Sequence, residues 1–136
     1  MIGLVIATHG ELAAELLRTT MSIIGPVPQA KTFSISRTVD MDLLLQQLAE
    51  AVDEVNDSGE GVLIMTDMFG GTPANLAARF LSNPVVEIVN GINLPLLLKF
   101  CSSRESMPVH VLAEFLKKYG QKSIVNTRDI LGEVKV

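Results

Sequence analysis

Short apolar runs alternate along the chain with longer segments in which apolar residues recur every three or four positions. The short runs predict buried β-strands, and the longer segments predict amphipathic helices. Strands are predicted at residues 2–7, 31–35, 61–65 and 85–89, with a short terminal strand at Ser123–Asn126. Helices are predicted at residues 11–24, 40–56, 72–81, 95–103 and 108–119. This order of elements predicts an α/β fold, a three-layer α/β/α open sheet whose parallel strands are connected by helices.

Composition restricts the class of protein. The chain has 136 residues, of which 48% are hydrophobic, and its mean hydropathy of +0.37 favours one folded domain over residues 1–136. No apolar run approaches the ~20 residues of a membrane span, and no signal-peptide pattern opens the chain. A single cysteine, Cys101, and a net charge of −4 without a basic stripe favour a cytoplasmic protein that does not bind nucleic acid.

The candidate chemistry lies where two predicted strands end. His9 follows the first strand in "VIATHGEL", and Asp67 follows the third in "TDMFGGTP". If the sheet has the common strand order 2-1-3-4, these residues come from adjacent strands, at the edge where open α/β sheets bind ligands. A carboxylate on one imidazole nitrogen fixes the tautomer and leaves the other nitrogen free as a nucleophile.

The surrounding residues favour an anion near His9. The predicted phosphate-binding residues are Thr8, Gly10, Met68, Phe69, Gly70, Gly71 and Thr72. Thr72 is also expected to cap the helix that Pro73 enters, and such helix starts bind phosphate through free N–H groups. No P-loop motif and no cluster of metal ligands occurs, so neither a cofactor nor a metal is expected. Together these residues predict phosphoryl transfer through His9.

Other distinctive residues have simpler interpretations. His110 is predicted to be a structural residue inside a helix, and Cys101 is predicted to be a small core residue. Met68, Phe69 and Leu94 are apolar residues of the predicted loops, where they either anchor the loop or form a docking surface.

Three motifs in this order resemble the IIA component of the mannose family of the bacterial sugar phosphotransferase system. The motifs are "THG" after the first strand, "TDMFGGTPAN" at Thr66–Asn75 and "NGINLPLLL" at Asn90–Leu98. By position, the resemblance implies that His9 accepts a phosphoryl group, that Asp67 hydrogen-bonds His9 and that Thr72 belongs to the phosphate-binding loop.

The resemblance also implies partners and an assembly. The phosphocarrier protein HPr would donate the phosphoryl group, and a IIB component would receive it during sugar uptake. The membrane would be reached only through IIC and IID components. The fold implied is four parallel strands and an antiparallel fifth strand that is exchanged between the subunits of a homodimer, with Ser123–Asn126 as the candidate for that strand.

Alternative functions remain open on the residues alone. The same phosphorelay chemistry would also serve a regulator whose charge changes on phosphorylation. Histidine phosphatases and mutases share an "HGE" motif, but they clamp phosphate with an arginine where this chain has Thr8. A receiver-like domain phosphorylated on Asp67 would need an acidic pair after the first strand, where Ala7, Thr8 and His9 stand. A flavin-binding module of similar topology would need aromatic residues to stack the flavin, and aromatics are only 4% of the chain.

Overall fold

The described chain consists of alternating strands and helices. A computed structural model describes residues 1–36 and 40–132. Within these residues the strands are β1 (Gly3–His9), β2 (Ala30–Ile35), β3 (Val62–Thr66) and β4 (Val86–Asn90). The helices are α1 (Leu12–Ile24), α2 (Met41–Val55), α3 (Thr72–Ala78), α4 (Leu94–Ser103), α5 (Val109–Lys122) and α6 (Thr127–Leu131).

The strands form a parallel sheet in the order β2-β1-β3-β4, which confirms the predicted order. Ala7 of β1 lies opposite Thr66 of β3, and Thr66 in turn lies opposite Asn90 of β4. Because all these strands run in one direction, the residues that follow them collect at one edge of the sheet. His9 and Asp67 are therefore brought to that edge from neighbouring strands.

Helices cover both faces of the sheet, as the continuous apolar strands require. Residues 3–8 of β1 and all of β3 are buried. Leu4 and Ile6 pack with α1, α4 and α5 on one face, while Val5 and Ala7 pack with α2 and α3 on the other. A strand buried on both faces is apolar throughout, because successive side chains point to opposite sides. The predicted three-layer α/β/α architecture is confirmed.

Arg104, which follows α4, is a buried polar residue that the sequence analysis missed. Its Nε and Nη2 atoms donate to the carbonyl of Ile2 at 3.0 and 2.6 Å, and Nη1 donates to the carbonyl of Pro28 at 2.8 Å. The guanidinium thereby ties the start of β1 to the segment before β2, at the end of the sheet far from His9. Burial lowers the pKa of the guanidinium, and the carbonyl oxygens satisfy its donors.

Two helix boundaries differ from the predicted ones. The last long helix does not end at Gly120 but continues to Lys122, and Gly120 is buried against Leu96, whose Cδ1 lies 2.7 Å from where a Cβ would stand. Gly120 therefore permits close helix packing instead of ending the helix. The predicted helix at residues 72–81 consists of α3 and a 3₁₀ turn, Arg79–Ser82.

The predicted fifth strand is not formed within this single chain. Ser123 lies in a turn, residues 124–126 have no regular secondary structure, and α6 follows them. The exchanged strand was expected to pair in a partner subunit, so that pairing stays a prediction. Residues 133–136 of the tail lie outside the described residues.

Replacing Gly3 with alanine should destabilise the fold strongly. A Cβ on Gly3 would overlap the carbonyl oxygen of Val55 and lie 2.6 Å from its carbonyl carbon, and this backbone cannot turn aside as a flexible side chain can. We expect Gly3→Ala to lower the free energy of unfolding by at least ~2 kcal/mol in urea denaturation. Gly59→Ala adds the same methyl group to open space at φ 75°, so this variant should lose less unfolding free energy, ~1 kcal/mol. Equal stability of the two variants would contradict this account.

Candidate functional site

The site begins with the contact between His9 and Asp67. The ring Nδ1 of His9 lies 2.8 Å from Asp67 Oδ2, and the backbone N–H of His9 donates to the same oxygen at 3.1 Å. An ionised carboxylate only accepts hydrogen bonds, so Nδ1 carries a proton, and in the neutral ring the free lone pair is on Nε2. The His9 side chain is 49% exposed and that of Asp67 is 13% exposed. The pair therefore combines a half-exposed imidazole with a carboxylate that is largely buried and orients it.

The environment of Asp67 keeps its carboxyl group ionised. Burial raises the pKa of Asp67, but the side-chain and backbone hydrogen bonds from His9, with the charge of His9, outweigh burial and hold the pKa below its usual 3.8. The other oxygen, Oδ1, is buried, and no donor among the described residues lies within hydrogen-bond distance of it. Both hydrogen bonds to Oδ2 thus come from His9.

The loop after Asp67 is exposed at its tip and close to His9 at its end. Met68 and Phe69 project outward, with Phe69 85% exposed. Gly70 has a φ of 87°, in the left-handed region that favours glycine. Gly71 is the residue that precedes α3, and it lies against the His9 ring. The loop therefore returns the chain to His9 before α3 begins.

Thr72 differs from its predicted capping role. The N-cap of α3 is Gly71, which has no side chain to bond the first N–H groups, and Thr72 is the first helical residue. Pro73 is the second helical residue. In this first turn a backbone N–H has no partner within the helix, so the missing N–H of proline costs no hydrogen bond. The start of α3 consequently keeps N–H groups without a side-chain partner, and half-buried Thr72 lies beside them.

Thr8 is placed differently from the other predicted phosphate-binding residues. Its side chain is fully buried, its hydroxyl donates to the His9 carbonyl at 3.1 Å, and it accepts from the Ala13 N–H at 2.8 Å. Thr8 therefore joins the end of β1 to the first turn of α1. Gly10, with a φ of 54°, makes the exposed turn between these two elements.

Thr66 and Asn90 support the site from β3 and β4, and the sequence analysis did not single them out. The Thr66 hydroxyl donates to Asn90 Oδ1 at 2.5 Å, and the Thr66 carbonyl accepts from the N–H groups of Gly91 and Ile92. These bonds fix the two strand ends beside Asp67. A buried threonine at the end of an otherwise apolar strand was the available signal.

The remaining predicted residues lie apart from the pair. His110 is exposed at the start of α5, where it lines a groove of about 350 Å³ with Phe69 and Lys117. Its side chain has no hydrogen-bond partner among the described residues. Cys101 packs against the core, and burial raises the pKa of its thiol. Leu94 is the half-buried first residue of α4. No helix in the described parts of the chain is long and apolar enough to cross a membrane.

Comparison with known proteins identifies relatives of this fold and site. Residues 3–117 match the family EIIA-man, described as "PTS system fructose IIA component". The chain is 29% identical over 136 residues to the "PTS system fructose-specific EIIA component" of Bacillus subtilis, covering 99% of this chain and 92% of that protein. It is 28% identical over 108 residues to the "PTS system mannose-specific EIIAB component" of Escherichia coli, covering 79% of this chain and 33% of that longer protein.

Solved structures agree with these sequence matches. The PTS IIA protein associated with the fucose utilization operon of Streptococcus pneumoniae superposes with a TM-score of 0.84 at 31% identity, covering 96% of both chains. The mannose/sorbose specific IIA subunit of the phosphotransferase system of Enterococcus faecalis has a TM-score of 0.79 at 26% identity, covering 92% of this chain and 93% of that one.

These findings define the class: the protein is a phosphotransferase component, a phosphoryl carrier of a sugar phosphotransferase system. Within that class, the chain belongs to the EIIA-man family, the mannose family of IIA components. The predicted resemblance is thus confirmed, and the phosphatase, receiver-like and flavin-binding alternatives are set aside.

The link between His9 and Asp67 should appear in the pH dependence of stability. Because the folded pKa of Asp67 lies below 3.8, the pair stabilises the fold above that pH, and the contribution is lost as the pH falls through the folded pKa. We expect the difference in unfolding free energy between wild type and Asp67→Asn to shrink as the pH falls from 5 toward 2, in urea titrations. Asp53→Asn, on the exposed side of α2, controls for loss of one carboxylate. A difference independent of pH would contradict the assignment.

Proposed function

We propose that His9 Nε2 accepts a phosphoryl group from HPr and passes it to a IIB component during coupled sugar uptake and phosphorylation. The observation that carries this proposal is the 2.8 Å contact between Nδ1 and Asp67 Oδ2, which leaves Nε2 unprotonated on a half-exposed ring. The family supports a phosphoryl-carrying role, while the donor and the acceptor are our inference. The protein would act in the cytoplasm and reach the membrane only through IIC and IID components.

The transfer step balances without any further reactant. The Nε2 lone pair forms a bond to phosphorus while the bond from phosphorus to the donor breaks and leaves its electron pair on the donor. The imidazole keeps its Nδ1 proton, so the phosphorylated ring gains positive charge. The Asp67 carboxylate stabilises that charge at 2.8 Å. When the acceptor attacks phosphorus, the bond from phosphorus to Nε2 breaks, and the ring leaves as a neutral imidazole with the electron pair on Nε2 and the proton on Nδ1.

The phosphoryl oxygens would be bound by the neighbouring turn and loop. Gly10 follows His9 directly, and the loop of residues 68–72 returns to the His9 ring at Gly71, so the backbone N–H groups of this turn and loop would be the donors. The Thr72 hydroxyl at the start of α3 would add a donor. We assign Thr8 a supporting role only, because its hydroxyl already bonds the Ala13 N–H and the His9 carbonyl.

Exposed apolar side chains beside the site would dock the partner proteins. Met68 and Phe69 project from the loop next to Asp67, and Leu12 lies exposed at the start of α1 just after His9. Apolar side chains left in water around a reactive residue are typical of protein interaction sites. Transfer to an acceptor protein requires such a surface, since Nε2 must approach another protein's reactive group.

Phosphorylation should depend on His9 alone. We expect His9→Ala to abolish acid-labile labelling by phosphorylated HPr, because no other described histidine forms a hydrogen bond with a carboxylate. His110→Ala is the matched control and should be labelled as wild type. Persistent acid-labile label in His9→Ala would overturn the assignment. Transfer of the label from wild type to a mannose-family IIB protein tests the transport role, and failure with every IIB protein of the same organism would favour regulation instead.

We also propose that the protein is a homodimer that exchanges the segment at residues 123–126. Ile124 and Val125 are 80% and 58% exposed, and none of the strands formed by residues 1–36 and 40–132 pairs with them. β4 is an edge strand of the sheet that the described residues form, so it would offer a place for a strand from a second subunit.

Negative charge introduced into residues 123–126 should therefore prevent two subunits from forming the dimer. We expect the double variant Ile124→Asp with Val125→Asp to sediment as a monomer and wild type as a dimer. The reason is that a buried carboxylate without a partner is strongly unfavourable in an interface. Ile23→Asp, an exposed apolar residue of α1, is the matched control and should leave the dimer intact. A monomeric wild type, or a dimeric double variant, would contradict strand exchange.

A further inference from the structure

Gly71 lies against the edge of the His9 ring that carries Nε2. A Cβ built on Gly71 would stand 2.7 Å from His9 Cε1 and 3.3 Å from Nε2, with Met68 Cγ at 3.4 Å. Side chains essentially never come within 3.0 Å of a ring carbon in this way, so one of the two groups would have to move. The imidazole therefore occupies the space that a side chain at position 71 would fill.

Neither the backbone nor the helix start requires a glycine at this position. Gly71 has φ −82° and ψ 168°, an extended conformation that any residue adopts, whereas Gly70 has a φ of 87°. Gly71 is also the N-cap of α3, where serine, threonine, asparagine or aspartate would stabilise the helix by bonding its first N–H groups. The contact with the His9 ring is the one requirement in the described structure that only glycine meets.

The His9 ring cannot move away from position 71 without losing its bond to Asp67. At Nδ1, the ring atom bonded to Cε1, the ring is held at 2.8 Å by Asp67 Oδ2, and the backbone N–H of His9 donates to the same oxygen. The ring is thus fixed at Nδ1 by a largely buried carboxylate and lies against position 71 with Cε1 and Nε2, while the His9 side chain as a whole is 49% exposed. A methyl group at position 71 would push the Cε1–Nε2 edge outward and lengthen the contact between Nδ1 and Oδ2.

We propose that Gly71 is a positioning residue for phosphoryl acceptance, because its missing side chain lets the His9 ring donate from Nδ1 to Asp67 while Nε2 stays open. The inference rests on the proposed role of His9. In a Gly71 variant whose His9 ring loses the Asp67 bond, the ring would no longer be restricted to the tautomer with its proton on Nδ1. The tautomer with its proton on Nε2 has no lone pair on Nε2 and cannot attack phosphorus through that atom.

The test compares Gly71→Ala with wild type in two measurements. Long-range ¹H–¹⁵N NMR of the unphosphorylated protein reports which ring nitrogen carries the proton. Wild type should show a single tautomer, protonated on Nδ1, and Gly71→Ala should show a mixture. The rate of labelling by phosphorylated HPr should fall about tenfold to a hundredfold in Gly71→Ala, as expected for a displaced reacting atom.

Two further variants separate positioning from stability. Gly59→Ala places a methyl group in a turn remote from the site and should leave both the tautomer and the labelling rate unchanged. Gly71→Ser can cap α3, so it should remain folded and still show both defects if the alanine variant proves unstable. An unchanged tautomer in a folded Gly71 variant, with or without slower labelling, overturns the proposal. If wild type accepts no phosphoryl group, the proposed function fails, and the NMR comparison alone still decides whether Gly71 positions the ring.

Discussion

One carboxylate oxygen, Asp67 Oδ2, determines the geometry of the site. It accepts a hydrogen bond from the backbone N–H of His9 and another from the His9 ring. The first bond ties the last residue of β1 to the residue after β3, and the second orients the imidazole. Because both bonds end on one atom, the strands cannot separate at this edge without turning the ring. The parallel pairing of β1 with β3, with Ala7 opposite Thr66, brings the two residues within reach.

Most of the fold could be predicted from the sequence because its strands are buried on both faces. Continuous apolar runs between helical patterns predict a parallel sheet with helices on both sides, and the structure has that sheet in the predicted order. The end of α5 could not be predicted, since glycine is common where helices stop and also where helices pack closely. Only the contact between Gly120 and Leu96 decides between these roles.

The part of the site that could be predicted is the part that depends only on where residues lie along the chain. His9 and Asp67 follow strands that are neighbours in the sheet, so their meeting required only the strand order. The role of Thr8 depends on which helix lies over its face of β1, and the role of Gly71 depends on one short distance to the imidazole. A sequence pattern contains neither quantity. The same limit applies to Arg104, whose partners are backbone carbonyls distant along the chain.

The polar contacts at the two ends of β1 also select one alignment of this strand. A slip of β1 by two residues would keep Leu4 and Ile6 on one face and Val5 and Ala7 on the other, so the apolar pattern does not exclude it. Such a slip would remove the Ile2 carbonyl from Arg104 at one end and the His9 N–H from Asp67 at the other. The loss at the Arg104 end would leave buried donors of the guanidinium unpaired, at ~1–3 kcal/mol or more. The apolar pattern of β1 thus permits more than one register in the sheet, and the polar contacts at its two ends select one of them.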